Sequence, residues 1–163
     1  MDHRHQPTPR RSLHPPQNVA TPTHFKWTRQ PGIGPNLALL GELQGRTIVE
    51  IGCGSGHNLA HLVTHFSATG IGVDHDAEKI TRARLAYNHL PSIRLILADA
   101  IDHLASMKPA SIDICLSIFG AMSFTDPLSL LTVVNRAIHP GGLLAVTLRA
   151  DDHHDNVIIL HRR

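Results

Sequence analysis

From Thr47 onward, short apolar runs alternate with amphipathic stretches, and this alternation restricts the chain to one class of fold. The runs at 47–51 (TIVEI), 69–74 (TGIGVD), 93–99 (IRLILAD), 111–119 (SIDICLSIF) and 142–148 (GLLAVTL) read as strands. Helices are expected between them. One covers 59–66. A second is capped by Asp76 and runs to about 89, with Ile80, Ala83 and Tyr87 at helical spacing and Pro91 ending it. A third starts at Asp126-Pro127, carries Leu130, Leu131, Val134 and Ile138, and stops at His139-Pro140-Gly141-Gly142. A short helix over 37–43 precedes the first strand. Strands that alternate with helices give an α/β fold, a doubly wound, mostly parallel sheet with helices on both faces. Ligands of such sheets bind beyond the carboxyl ends of the strands, at the point where strand order reverses. The residues at those ends are therefore the ones to read for function.

The first strand ends in Glu50-Ile51-Gly52-Cys53-Gly54-Ser55-Gly56. Glycines let the backbone turn sharply and let a ligand approach, and the helix that follows offers unpaired N–H groups. A dinucleotide fingerprint would place its third glycine at position 57, where this chain has His57; here the third glycine is Gly56. Asp74 ends the second strand, where a carboxylate can accept from both hydroxyls of a ribose. A dinucleotide enzyme also wants an acid there, so Asp74 alone does not discriminate. Ala98-Asp99-Ala100 closes the third strand, and Asp113 to Phe119 forms the fourth.

Together with the Ile138-His139-Pro140-Gly141-Gly142 turn, these motifs resemble, in order and spacing, the class I (Rossmann-like) S-adenosylmethionine-dependent methyltransferases. The resemblance covers about 27 to 148. It implies that S-adenosyl-L-methionine is the cofactor and that the activity is methyl transfer. The sequence carries no Asn-Pro-Pro-Tyr type of motif that would mark an amino or nucleobase target, so a small-molecule acceptor is the default expectation. It implies further that Glu50 faces the amino group of the methionine moiety and that Gly52, Gly54 and Gly56 pass close to its backbone. Asp74 would hold the ribose, with His75 beside the adenine, and Asp99 and Ala100 would read the adenine edge. Ser117 and Phe119 would line the pocket near the sulfonium, and Trp27 with the Gln30-Pro31-Gly32 loop would cover the cofactor. Family members usually continue past the fifth strand with a helix and an antiparallel strand pair. The short remainder here leaves room for one closing strand at 157–160, so the fold is expected to be shortened at its C-terminus. The uncovered sheet edge that results favours a homodimer. It also keeps open a second reading, a regulatory or scaffold domain that binds the cofactor without turnover. A nicotinamide-dependent oxidoreductase is disfavoured by the glycine spacing.

Other features carry less chemistry. Residues 1–24 are rich in Pro, His and Arg and poor in large apolar groups, which marks a disordered leader before a domain at 25–163. The formal charge of +2 is too small to indicate nucleic-acid binding, and its excess lies in Arg4, Arg10, Arg11, Lys26 and Arg29. No apolar stretch approaches the ~20 residues that span a membrane. Two isolated cysteines, Cys53 and Cys115, fit a reducing cytoplasm rather than a disulfide framework. His57, His61 and His65 share a helix face, but no cysteine or carboxylate joins them at ligand spacing, so no metal site is expected. Asp151-Asp152-His153-His154-Asp155 reads first as a polar turn. His153 and His154 are the candidates for a general base, if the reaction needs one.

Overall fold

The computed structural model describes residues 19–30, 32–149 and 155–163. Six strands, β1 (Thr47–Ile51), β2 (Thr69–Asp74), β3 (Ile93–Leu97), β4 (Ile112–Ile118), β5 (Ile138–Arg149) and β6 (Asp155–His161), form one sheet in the order β3-β2-β1-β4-β5-β6. The first five run parallel, and β6 pairs antiparallel with β5. Four helices, α1 (His57–Phe66), α2 (Ala77–Tyr87), α3 (Ala100–Ser106) and α4 (Pro127–Ala137), cover the two faces. The α/β class and the parallel sheet are those the alternation requires.

The central strands are apolar on both sides because both sides are covered. Ile48, Ile114 and Leu116 pack against Leu59 and Leu62 of α1 and Ile80 and Tyr87 of α2 on one face. Val49, Ile51, Val73, Cys115 and Leu144 pack against Leu104 of α3 and Leu130 and Val134 of α4 on the other. From β1 the chain winds outward to β2 and β3, then crosses back to β4. The connections that leave the carboxyl ends of β1 and β4 therefore pass to opposite faces of the sheet and open a crevice beyond those ends.

At the opposite end of the sheet Asp113 ties three elements together. It accepts from Thr47 N (2.8 Å), Arg46 Nη1 (2.7 Å) and His139 Nε2 (2.9 Å). Partial burial opposes ionisation, but these donors outweigh it and hold the carboxyl below the usual range. Stability drawn from a carboxylate with a lowered folded pKa is present above its unfolded value and is lost as pH falls through the folded one. Asp113→Ala should therefore lose about 1 kcal/mol at neutral pH, a figure discounted for solvent screening. The gap from wild type should close in acid, below 3.8. Urea unfolding at both pH values checks this, and equal midpoints at neutral pH would remove Asp113 from the account.

The structure departs from expectation in several places. A helix over 100–106 that the periodicity did not reveal follows β3, which ends at Leu97 rather than at 99. The expected helix over 37–43 is a single 3-10 turn, Leu37–Leu40. His139-Pro140-Gly141-Gly142 is a bulge within β5 rather than a turn before it: the register runs from Ile112↔Ile138 straight to Ile114↔Leu143. A Cβ on Gly142 would lie 2.6 Å from Asp113 O, so the bulge needs glycine there. The closing strand extends over Asp155–His161. Residues 21–24, placed by composition in the leader, run along α1 with Pro22 buried. Residues 1–18 lie outside the described residues. No helix among the described residues is long and apolar enough to cross a membrane.

Candidate functional site

The crevice between the ends of β1 and β4 opens into a cavity of about 630 Å³. Glu50, Gly52, Gly54, Asp74, His75, Asp99, Ala100 and Phe119 all line it. Two expected members do not. Gly56 is the residue before α1, and a Cβ there would face Leu95, Tyr87 and Ala83 of the core. Ser117 is fully buried, and its Oγ accepts from Met122 N (3.1 Å), which fixes the loop after β4 rather than the cavity wall.

Glu50 sits on β1 between Gly72 of β2 and Leu116 of β4, and is only 3% exposed. Burial raises its pKa to about 8, Asn58 opposes this by a hydrogen bond, and the charge of Asp74 adds to the rise. Its Oε1 accepts from Asn58 Nδ2 (3.4 Å), and its buried Oε2 has no partner among the described residues. A buried acid with an open oxygen is matched by a cation that brings its own N–H donors.

Asp74 fixes the glycine loop. Oδ2 accepts from Gly54 N (2.8 Å) and Oδ1 from Asp76 N (2.9 Å). Each oxygen keeps a further lone pair, so the carboxylate can still accept from two adjacent hydroxyls. The imidazole of His75 stands in solvent, 84% exposed, at the mouth. Asp99 caps α3, accepting from Ile101 N (2.8 Å) and Asp102 N (3.1 Å). Phe119 directly follows β4 with φ of 51°, an uncommon conformation for a bulky residue, held by a bond from its N–H to Thr147 O (3.2 Å).

The other wall comes from residues that motif reading did not assign. Lys26, Thr28 and Arg29 border the cavity from the segment before β1, with His57 and Asn58 of α1 beside them. Lys79, Phe124 and Thr125 complete the rim. Trp27, expected as a cover, is instead a core residue, 3% exposed and packed on Phe25 with ring centroids 4.7 Å apart. Its two chain neighbours reach the cavity. His57, His61 and His65 face carbonyls of residues 22–24. The general-base candidates His153 and His154 lie outside the described residues, as do Asp151, Asp152 and Pro31. Asp155 forms an ion pair with Arg29 (3.0 Å). The wall mixes acids (Glu50, Asp74, Asp99) with cations (Lys26, Arg29, Lys79), which suits a ligand carrying both signs.

A family model described as a methyltransferase domain matches residues 49–146. The chain is 34% identical over 104 residues to trans-aconitate 2-methyltransferase of Azoarcus sp. (strain BH72), a match that covers 63% of this chain and 38% of that protein. Its fold superposes on geranyl diphosphate C-methyltransferase from Streptomyces coelicolor A3(2), solved with Mg2+, geranyl diphosphate and S-adenosyl-L-homocysteine. The TM-score is 0.60 at 18% identity, over 66% of this chain and 41% of that one. It superposes equally on phosphoethanolamine N-methyltransferase 2 from Haemonchus contortus, solved with S-adenosyl-L-methionine. There the TM-score is 0.61 at 24% identity, over 69% of this chain and 26% of that one. The chain thus spans less than half the length of each of these relatives.

Proposed function

The chain belongs to the methyltransferase domain family of the class I, Rossmann-like type, and from that premise we propose that its cavity binds S-adenosyl-L-methionine for methyl transfer to a small-molecule acceptor. The observation that carries this reading is Glu50: a buried acid whose Oε2 has no donor among the described residues, in a cavity lined by mixed charges. Glu50 would take the ammonium of the methionine moiety. Asp74, already oriented by two backbone N–H groups, would take the ribose hydroxyls. His75, Asp99 and Ala100, which line the cavity, would lie beside the adenine, and Phe119 would lie toward the sulfonium. Gly54 supports the same fit, since a Cβ there would enter open space.

The bound cofactor supplies a methyl group already activated by its sulfonium. The chain's own work is to orient and to exclude water. Glu50 and Asp74 fix the two ends of the ligand, and Lys26, Thr28 and Arg29 close one side of the cavity. A proton acceptor is needed only for an acceptor molecule that must lose a proton early, and His153 or His154 would serve. At the far edge of the sheet, β6 has no further strand paired to it among the described residues, with Ile158 39% and Leu160 49% exposed. A second copy of the chain pairing there would cover that edge.

Calorimetric titration with S-adenosylmethionine and S-adenosylhomocysteine tests the reading. Wild type should bind both at micromolar concentrations, and Asp74→Ala should weaken binding roughly ten- to hundredfold, the worth of hydrogen bonds to a charged acceptor. Folded wild type that binds neither would overturn the proposal. Formation of S-adenosylhomocysteine with candidate acceptors then separates an enzyme from a domain that holds the cofactor without turnover.

A further inference from the structure

One segment of main chain is held by an unusual set of side chains. Four residues of α1 hold the backbone of residues 22–26. His61 Nδ1 and His65 Nε2 both donate to the carbonyl of Pro22 (3.0 Å each), and His57 Nε2 donates to the carbonyl of His24 (3.1 Å). Asn58 grips Lys26 from both sides: its Oδ1 accepts from Lys26 N (2.9 Å) and its Nδ2 donates to Lys26 O (3.1 Å). Beyond it Thr28 Oγ1 meets Gln30 O and Ile33 O, and Arg29 meets Asp155. Residues 22–29 are thus a strap pinned at both ends, and its middle is cavity wall.

Asn58 also hydrogen-bonds Glu50, which none of the three histidines that hold the strap is seen to do among the described residues. Its second amide hydrogen points to Glu50 Oε1 at 3.4 Å, longer than its two bonds to Lys26. The orientation of the amide is fixed, because turning it over would set its oxygen against two acceptors. Asn58 is 7% exposed, so these are its partners in a dry setting, where changes of charge are strongly felt.

We propose that Asn58 is a positioning residue that couples the ligand held by Glu50 to the strap of residues 22–29. The inference rests on the reading that an ammonium binds at Glu50. When it does, Glu50 is ionised, and the Asn58–Glu50 contact becomes a charge-assisted bond with room to shorten toward about 2.8 Å. That bond holds the amide plane in place and so firms both contacts to Lys26. The coupling is reciprocal: a docked strap keeps Asn58 aimed at Glu50 and favours the ligand in return.

Hydrogen exchange followed by mass spectrometry, with and without saturating S-adenosylhomocysteine, reads this directly. In wild type the ligand should slow exchange across residues 22–29 about tenfold, a typical coupling. Asn58→Ala should still bind, more weakly, and at saturation should show no ligand-dependent slowing in that segment. Asn58→Leu keeps the size, adds no charge beside Glu50 and loses every polar contact of the amide; it should behave like the alanine variant and serves if the smaller side chain leaves a cavity that prevents folding. Residues 22–29 unchanged on binding in wild type, or slowed equally in either variant, would overturn the coupling while leaving the cofactor reading intact. Wild type that does not bind the ligand would overturn both.

Discussion

Replacing Glu50 by Gln should make the ligand-free protein more stable above pH 7 and at the same time cut its affinity for S-adenosylhomocysteine a hundredfold or more. The two effects share one cause. A carboxyl with a pKa raised from 4.5 to about 8 resists ionisation in the fold, whereas the unfolded chain ionises it freely. Between those two values the folded state holds the extra proton, so stability falls as pH rises from 4.5 toward 8 and levels off above it. Gln has no charge to suppress and keeps an oxygen for Asn58. Its advantage should open over the same window, and linkage alone would give up to about 5 kcal/mol. The buried amide N–H of Gln, left without an acceptor at the Oε2 position, offsets part of it, leaving the order of 2 kcal/mol, or a melting temperature about 5 °C higher. With ligand the sign reverses. An ammonium needs the carboxylate, and removing one partner of a buried ion pair costs about 3–5 kcal/mol, several hundredfold in Kd. Wild-type affinity should rise up to about tenfold per pH unit toward pH 8 and then flatten, because binding must first expel a proton, whereas the Gln variant should show no such slope. Thermal melts and calorimetry across pH 6–9 test both halves. A Gln variant that is less stable when empty, or that binds as well as wild type, would mean that Glu50 is a structural acid.

This opposition between stability and binding marks the part of the site that sequence reading reached. Glu50, Asp74 and the glycine loop were legible because strand ends in a parallel α/β sheet are placed by the alternation itself. β1, β2 and β4 are buried on both faces, so their apolar runs stop where the sheet stops. Asp99 was legible in position but not in its capping role. It ends the β3 motif and also caps α3, whose seven residues bury only Ala100 and Leu104 and so give little periodicity. Ser117 misled for a related reason. Alternation along a strand does not distinguish a cavity from a buried loop contact, and the Oγ of Ser117 goes to Met122 N.

The strap was legible only as a segment: Trp27 was expected over the cofactor, whereas its neighbours Lys26 and Thr28, and Arg29, are the residues that line the cavity. Lys26, Thr28 and Arg29 reach the cavity because α1 side chains hold main-chain carbonyls and N–H groups, and such bonds leave no trace in the strap's own sequence. The single signal was Asn58, a polar residue followed at once by Leu59 at the buried start of α1. Buried amides require partners, and here the partners lie 32 residues earlier and 8 residues earlier in the chain. The histidines on the same helix showed a shared face but not that carbonyls would occupy it. The β5 bulge was hidden because Pro-Gly-Gly ordinarily breaks a strand; here β5 resumes its pairing with β4 after three extra residues.

The glycine loop permits a sharper test, in which two neighbouring substitutions should diverge. Gly52 and Gly54 both have positive φ, 73° and 53°. Alanine at either site meets the same backbone penalty, about 1–2 kcal/mol. Their surroundings differ. A Cβ on Gly52 would lie 2.4 Å from Gly120 Cα and 2.6 Å from Ala121 N, whereas one on Gly54 meets nothing within 4 Å. The obstacle at Gly52 is backbone, so no side chain can rotate away. Gly120 cannot retreat either: its own α-carbon faces Ile51 O so closely that a Cβ there would lie 2.1 Å from it. The ends of β1 and β4 are therefore interlocked without side chains between them. Gly52→Ala must push the loop of residues 119–121 outward, moving Phe119 and Ala121 in the cavity wall. It should lose about 4 kcal/mol or more, the range reached by overpacking combined with backbone strain. Gly54→Ala should lose only the conformational part and keep its N–H on Asp74, while its methyl group, directed into open space, takes volume from the ligand. Urea unfolding and S-adenosylhomocysteine titration on the two variants separate the effects: Gly52→Ala should fail mainly in folding, Gly54→Ala mainly in binding. Equal stabilities within about 0.5 kcal/mol would mean that β1 and β4 can part at this end. The junction of the two strands would then be adjustable, and the cavity beyond it would not owe its shape to the glycine pair.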